Sequence, residues 1–291
     1  MTQIDYSAFD TPGRGRGILD VFRYRYLLNL LIGKTTSLRY RNSVLGWFWS
    51  YVRPTVQFLI YYLVVGQILG MHGRVESFPL YMFSGIVLIN LFNEAFGAVT
   101  RSIVENKALV RKIYLPRELF PIAAVVGSFV HFLPQLVVLL LVCIFLFGWV
   151  PSLASIGLVL AGLMLALLFI LGLGLFFSAL NVRFRDASNI VDIIRTVSTW
   201  CSPIMYTWVM VYEHTTDFTW LFNIYMSNPI TVAIELFHLA FWAPAVPVEA
   251  RIGLPPDFAL NVIGAILVII ASIAIGQYTF RRFERTFAQD L

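Results

Sequence analysis

Few side chains in this sequence have the type and spacing that catalysis or metal binding requires. Glu235 and His238 stand three residues apart, so a helix would bring a carboxylate and an imidazole to one face, as in carboxylate-bridged metal sites. One such pair is a weak signal, and we expect no metal site. Asp192 and Arg195 share this spacing and could relay a proton, but their place beside a charged segment favours an ordinary ion pair at the membrane interface.

The other candidates for chemistry are incomplete. The run Gly13-Arg-Gly-Arg-Gly17 has the composition of a phosphate-binding loop, but it lacks the Lys-Ser/Thr pair and the preceding strand, so we interpret residues 1–20 as a flexible tail. The sequence shows no nucleotide-binding motif, haem-ligand pattern or catalytic triad, and no two acidic residues are adjacent. We therefore expect no catalytic residue and no cofactor in this chain.

The composition is that of an integral membrane protein. Of 291 residues, 59% are apolar and 13% are charged, and the mean hydropathy is +0.79. Soluble domains carry about 25% charged residues. The net charge of +5 could suggest nucleic acid, but the basic residues are not clustered as a binding groove would require. Cys143 and Cys201 lie inside apolar runs and offer no disulfide framework.

The apolar runs are long enough to be membrane-spanning helices. We predict an all-α protein with one transmembrane domain over residues 21–291. Six spans are expected, at about 47–71, 79–100, 122–147, 153–180, 190–212 and 258–280. An amphipathic helix over 21–45 should lie in the headgroup plane, with Arg39 and Arg41 among the basic residues that face lipid phosphates.

The stretch between the fifth and sixth spans is not a plain loop. Residues 217–242 are predicted to form two short helices that dip back into the membrane, because the apolar run after residue 229 is too short to span it. Asn228-Pro229 is typical of a helix start, with proline at the first helical position.

A short charged segment over about 104–115 separates two long apolar runs. Its basic residues alternate with apolar ones in a pattern that suits a short surface helix, with Val104, Ala108 and Ile113 on the apolar side. Pro116 should end this helix, because proline has no amide to continue the hydrogen-bond ladder. Two interpretations remain open: a loop that only fixes topology, or an element held by another protein.

The basic residues also predict the topology. Nineteen of the 21 Lys and Arg residues fall on one side of the six spans, and only Arg74 and Arg251 fall on the other. This asymmetry places both termini in the cytoplasm and the stretch between spans five and six outside.

Several blocks resemble the permease subunits of ABC exporters for polysaccharides. Arg39-Tyr-Arg-Asn-Ser-Val-Leu-Gly-Trp-Phe-Trp-Ser50 is similar to the family's R-Y-x-x-S-x-L-G-x-x-W block. Further similar blocks follow in the same order, namely 78–85, 105–118, 183–186, 202–206, Asn228-Pro229 and the Arg281-Arg-Phe-Glu tail. The resemblance covers about residues 25–291.

The resemblance implies a homodimeric permease joined to two ATP-binding cassette subunits, which would bind ATP and Mg²⁺. Its substrate would be polyprenyl-diphosphate-linked polysaccharide of the O-antigen, teichoic acid, capsule or galactan type, moved across a bacterial inner membrane. The charged segment would be the helix that couples the permease to the ATPase, through Glu105, Asn106, Lys107, Leu109, Val110, Arg111, Lys112 and Tyr114. The external gate would include Asn228, Pro229, Glu235 and His238.

The resemblance also places aromatic residues of the first and fifth spans along the sugar path. These are Trp47, Trp49, Tyr51, Tyr61, Tyr62, Trp200, Tyr206 and Trp208. Aromatic faces suit this role, because the C–H faces of sugar rings pack on them without a charged site. Tyr61 and Tyr62 lie about two turns deeper than an interfacial belt would place them. Lipid-facing anchors and helix packing are the alternative for all eight.

Two other classes of protein remain as alternatives. A membrane enzyme acting on polyprenyl phosphates would need clustered carboxylates or basic residues for metal and diphosphate, and the acids here are dispersed. A proton-coupled carrier could use Glu94, Asp192 or His131, but no inverted repeat is evident.

Overall fold

The structure is a computed structural model, and it describes residues 24–40, 46–70, 73, 75–112 and 115–291. The predicted tail over 1–20, Arg41 and Tyr114 lie outside the described residues, as do the side chains of Arg39, Trp47 and Tyr61. The described part is helical and contains no strand, so the predicted all-α class is confirmed.

The helices follow one another with short connections. The first seven are α1 (Arg25–Tyr40), α2 (Trp49–Tyr61), α3 (Phe78–Glu105), α4 (Lys107–Lys112), α5 (Leu119–Phe147), α6 (Leu153–Arg183) and α7 (Ala187–Trp200). They are followed by α8 (Trp208–His214), α9 (Thr219–Met226), α10 (Pro229–Phe237), α11 (Phe258–Glu284) and α12 (Phe287–Asp290). Two π-helical stretches, Tyr62–Ile68 and His238–Trp242, continue α2 and α10.

Four helical stretches in the described part are long and apolar enough to cross a membrane. They are Phe78–Lys112, Leu119–Phe147, Leu153–Arg183 and Phe258–Glu284. A fifth is possible if α9 and the helix that follows it, bent by 72° at residues 227–228, count as one span. These stretches include four of the six predicted spans.

The other two predicted spans have a different form. Residues 47–71 are not one regular α-helix: α2 ends at Tyr61 and continues as a π-helix over Tyr62–Ile68. Residues 190–212 are not one helix: α7 ends at Trp200 and α8 begins at Trp208. Pro203 lies in the connection, where it cannot donate the amide hydrogen bond that a continuous helix needs.

Helix α3 forms the centre of the bundle. It packs against α5, α6, α7 and α10, and most of its residues are buried. Its largest side chains, including Phe78, Tyr81 and Phe92, are almost completely buried. An apolar helix that is covered on nearly all sides belongs in the interior, so α3 is the element around which the other helices are arranged.

Helices α6 and α11 make the closest helix pair. A β-carbon on Gly276 would collide with the backbone carbonyl of Gly172, and one on Gly172 would collide with Ser272. Other glycines of α6 also lie close to neighbouring helices: a β-carbon on Gly162 would lie 3.1 Å from Phe237, and one on Gly174 would collide with Val99. The pair therefore approaches too closely for larger side chains and has little freedom to slide.

The two ends of the bundle differ in charge. We call the end that carries Lys107, Arg183 and Arg281 the basic end. A separate apolar cluster fills this end and includes Leu31 of α1, Val110 of α4 and Phe280 of α11. This cluster, the basic-end cluster, is what joins the short helices α1 and α4 to the long ones.

Candidate functional site

The charged segment forms a small element at the basic end of α3. Helix α3 ends at Glu105, and Asn106 closes it: its amide Nδ2 donates to the carbonyl of Ser102 at 2.8 Å. Lys34 of α1 donates from Nζ to Oδ1 of Asn106 at 2.8 Å. The turn between α3 and α4 is thus also one of the places where α1 contacts the bundle.

Helix α4 presents an apolar side to the protein and a charged side to its surroundings. Val110 is buried in the basic-end cluster and Leu109 packs at its edge, whereas Lys107, Arg111 and Lys112 are exposed. The sequence pattern had Ala108 on the apolar side, but Ala108 is exposed, because the helix starts only at Lys107 and its buried face is set by Val110. Glu105 is exposed and pairs with Arg101 at 3.4 Å.

A polar stripe runs along α3 at membrane depth and, at Arg101, leaves the predicted span over 79–100 towards this segment. It consists of Asn90, Asn93, Glu94 and Arg101, whose spacing puts them on one helix face. Asn90 donates to Oε1 of Gln57 at 3.0 Å, and Asn93 donates to Oγ1 of Thr199 at 2.9 Å.

The polar stripe is the part of α3 that the bundle leaves partly open. Asn90, Asn93 and Glu94 are half-buried and Arg101 is exposed, while most of α3 is buried. Among the described residues, Oδ1 of Asn93 is buried with no hydrogen-bond partner. Polar groups at this depth do not face lipid, so the stripe must face protein or a water-filled passage.

Arg195 closes the stripe on the side of α7. Its Nη1 lies 2.7 Å from Oδ1 of Asp192, which confirms the predicted ion pair. The same nitrogen lies 3.1 Å from the position that a β-carbon on Gly97 would occupy, so Gly97 provides the space for this guanidinium. Helix α7 thus contributes Thr199, Arg195 and Asp192 to the polar surface of α3.

The aromatic residues predicted for the sugar path fall into two groups. On α2, Trp49 is exposed, Tyr51 is half-buried, and Tyr62 stacks on Phe58 with ring centroids 6.1 Å apart. Trp200, at the end of α7, is 65% exposed.

The second group, Tyr206 and Trp208, is engaged in packing. Trp208 donates from its indole nitrogen to the carbonyl of Gly253 at 3.2 Å and lies beside Tyr212 and Phe222. Tyr206 donates from its hydroxyl to the carbonyl of Trp200 at 2.8 Å. Trp208 therefore contacts the 251–255 connection, and its ring is already packed against protein side chains in this structure.

The predicted gate residues form a buried cluster between α3 and α10. Asn228 caps α10 through its side chain, which accepts from the amide of Ile230 at 3.0 Å, and Pro229 is the first residue of this helix, so the predicted helix start is confirmed. Glu235 and His238 are buried, with 3.5 Å between Oε1 and Nδ1.

Aromatic rings enclose the Glu235–His238 pair. Tyr81 stacks on the His238 ring at 3.7 Å between centroids, and Trp242 meets Tyr81 edge-on at 5.4 Å. Trp242 also donates to the carbonyl of Glu76 at 2.8 Å. In the described part of the chain, no group of three or more His, Cys, Asp or Glu residues is placed to hold a metal ion.

Sequence reasoning missed several members of these sites. Gln57 was a detectable signal, since an amide inside an aromatic span requires a partner. Thr199 and Gly97 carry no local signal, because their roles depend on which helix face meets α3 and α7. Tyr81 and Trp242 resemble ordinary core residues until their positions around His238 are known.

Comparison with known proteins agrees with this architecture. The family model described as ABC-2 type transporter matches residues 26–242. The chain is similar to an "O-antigen export system permease protein RfbA" of Myxococcus xanthus, with 26% identity over 276 residues that cover 95% of this chain and 99% of the relative. It is also similar to two proteins of the same name from Klebsiella pneumoniae, each 28% identical, over 72% and 73% of this chain and 78% and 81% of theirs.

Proposed function

The chain belongs to the ABC-2 type transporter family, and on that basis we propose that it is the transmembrane subunit of an exporter for lipid-linked polysaccharide. ATP hydrolysis in a separate cassette subunit, which binds ATP and Mg²⁺, drives the export. The permease itself catalyses no reaction. The relatives named for O-antigen export support a polysaccharide cargo of this kind, and teichoic acid or galactan chains are the other cargoes that we propose.

The proposed topology has six crossings of the inner membrane and both termini in the cytoplasm. The 19-to-2 division of basic residues supports it. The first crossing is α2 with its continuation, 13 and 7 residues long, which together extend about 30 Å, enough for the hydrocarbon core. The fifth crossing is α7, the irregular connection and α8.

The partly open polar stripe supports a homodimer. A stripe that is half-buried in one copy cannot be left facing lipid, because exposing polar side chains to hydrocarbon is costly. A second copy of the chain placed against α7 would enclose it, and the exposed apolar side chains Ile190, Ile193 and Val197 on α7 suit such a contact. The stripe would then line a passage between the two copies.

The same surface suits a glycan in transit. Asn and Thr side chains donate and accept hydrogen bonds to hydroxyl groups without binding a charge, and exposed aromatic rings such as Trp200 offer sugar faces a flat apolar partner. Many weak contacts allow a polymer to slide. The aromatic positions on α2 remain candidates for the same role.

One observation carries the proposal: the polar stripe on α3 ends next to α4, whose exposed cations face away from the protein. A movement of α4 imposed by an ATPase would act directly on the helix that bears the stripe. We expect the purified permease to retain two ATPase subunits per pair of permease chains.

The experiment is purification from the producing bacterium followed by reconstitution in vesicles. A glycolipid extract of the same cells serves as substrate, and polymer delivered to the opposite side is measured per ATP hydrolysed. Delivery that requires ATP supports the proposal. A chain that purifies without an ATPase, or that transforms the glycolipid chemically, would contradict it in favour of the membrane enzyme.

A further inference from the structure

The short helix α12 packs against the charged segment that contains α4, although the two lie far apart in the chain. Phe287, its first residue, is fully buried and lies edge-on to Phe280 of α11, with ring centroids 5.4 Å apart. The guanidinium of Arg117, in the connection that follows α4, lies 5.7 Å from the centroid of the Phe287 ring. Helix α12 also contacts α4 itself.

Helix α4 cannot hold its own position. It has six residues, and helices this short are not stable alone in water, so its place depends on tertiary contacts. Val110 is its buried residue, and Val110 belongs to the same apolar cluster as Phe287 and Leu31. The position of α4 is therefore determined by side chains from α1 and α12 as well as by its link to α3.

On another side α4 is not closely packed. A cavity of about 270 Å³ lies between the charged segment, the end of α6 and the end of α12, and it is lined in part by Lys107, Asn181, Arg185 and Asp290. This space leaves room for α4 to shift relative to α6. Contacts through the basic-end cluster thus restrain α4 more strongly than contacts across the cavity.

Helix α11, which carries Phe280, is fixed to α6 by the close approach of Gly276 and Gly172. A displacement of α4 that is transmitted through Phe287 and Phe280 reaches the α6–α11 pair as a unit. This route is separate from the covalent connection through Asn106, which leads to α3.

We propose that Phe287 is a positioning residue that ties the coupling helix to the α6–α11 pair, so that ATP-driven movement reaches both α3 and this pair. The proposal rests on the proposed function, because it assumes that α4 receives the ATPase. It assigns a role to a segment outside the matched family region, which ends at residue 242.

The test compares Phe287→Ala, Phe287→Leu and the matched control Gln289→Ala, an exposed position on the same helix. Each is purified as the complete complex and reconstituted with the glycolipid extract. We expect Phe287→Ala to retain the ATPase subunits and basal hydrolysis. The polymer delivered per ATP should fall at least about threefold, which is the size of effect expected when a coupling route is altered. Leucine, which refills most of the volume, should recover most of the ratio, and Gln289→Ala should match the original protein.

A second measurement keeps the test decisive if Phe287→Ala does not assemble. Spin labels at Lys107 and Arg282, both exposed, report the distance between α4 and α11. In Phe287→Leu the distribution should broaden and its shift on ATP addition should shrink. An unchanged polymer-to-ATP ratio in an intact Phe287→Ala complex, or an unchanged distribution in Phe287→Leu, would overturn the role of Phe287.

The two proposals fail in different ways. If the original protein retains no ATPase or delivers no polymer, the proposed function is wrong. If it does both and the Phe287 variants behave identically, only the positioning role is wrong.

Discussion

Lys34 donates a hydrogen bond to the side-chain oxygen of Asn106 at 2.8 Å, although the two residues lie 72 positions apart in the chain. This bond joins α1, a helix suited to the membrane surface, to the turn from which α4 starts. Asn106 is held at the same time by its bond to Ser102, so its orientation is defined from both sides. Asn106 therefore links the positions of α1 and α4 in this structure.

The first prediction is that Lys34→Met weakens coupling without weakening the fold. The bond is exposed, so its loss should change the free energy of unfolding by at most about 1 kcal/mol. We expect an unchanged melting temperature and a lower ratio of polymer delivered to ATP hydrolysed. Asn106→Ala combined with Lys34→Met should cost no more than Asn106→Ala alone, and fully additive losses would contradict a shared bond.

The second prediction concerns the two sides of α4. Val110→Asp places a carboxylate in the buried basic-end cluster, which should cost several kcal/mol, about 3–5 if the charge stays desolvated. The half-buried Leu109 should tolerate aspartate better, and the exposed Lys107→Ala should be mild. Co-purification of the ATPase measures the effect. Equal retention of the ATPase by the Val110 and Lys107 variants would indicate that this segment only fixes the topology.

The third prediction concerns the closest helix pair. Gly276→Ala would drive a methyl group into the backbone carbonyl of Gly172, which cannot move aside as a flexible side chain can. Overpacking of this kind costs about 1–3 kcal/mol or more, so the variant should melt at a lower temperature in detergent. Gly253→Ala is the matched control, because nothing lies within 4 Å of its added methyl group. Equal melting temperatures would mean that α6 and α11 pack less closely than described.

The fourth prediction is topological. Cysteines introduced at the exposed positions Thr216 and Glu249 should react with an impermeant reagent in intact cells, once Cys143 and Cys201 have been replaced. A cysteine at the exposed Lys107 should react only after lysis. The physical reason is the concentration of basic residues at the end that carries α4. The reverse labelling pattern would invert the topology and remove the basis for coupling.

The sequence predicted features that depend on local pattern. Leu153–Arg183 follows the predicted span over 153–180 closely, because an unbroken apolar run needs no tertiary information to be recognised. The start of α10 at Asn228-Pro229 was equally local, since a side-chain cap and a proline at the first position act within one turn. Pro203 was equally visible, but we predicted a continuous span over residues 190–212, and the structure breaks it at residues 201–207.

Features that depend on partners from distant segments were not predictable in the same way. The bond between Gln57 and Asn90 requires knowing which faces of α2 and α3 meet, and the sequence gives only their polarity. Phe287 stands among polar residues and carries no periodic signal, yet it is fully buried. Both cases are tertiary contacts that override local pattern.

The last prediction separates two tryptophans that the sequence placed in one group. Trp208 is half-buried, bonds to Gly253 and packs beside Phe222, so truncating it should destabilise the fold. We expect a loss of about 2–3 kcal/mol for Trp208→Ala, below the 3–5 kcal/mol typical of fully buried rings. Trp200 is 65% exposed, so its removal should leave stability almost unchanged.

If Trp200 contacts the glycan, Trp200→Ala should instead lower the polymer delivered per ATP while the complex stays intact. The loss should correspond to about 0.5–1.5 kcal/mol of ring stacking, which is about 2- to 13-fold. Trp200→Phe is the matched control and should keep most of the activity, because the aromatic face is retained. Melting temperature and delivery per ATP are measured on the same preparations. A Trp200→Ala complex with full delivery would show that this ring does not bind the glycan, and lipid or the second copy of the chain would then be its partner.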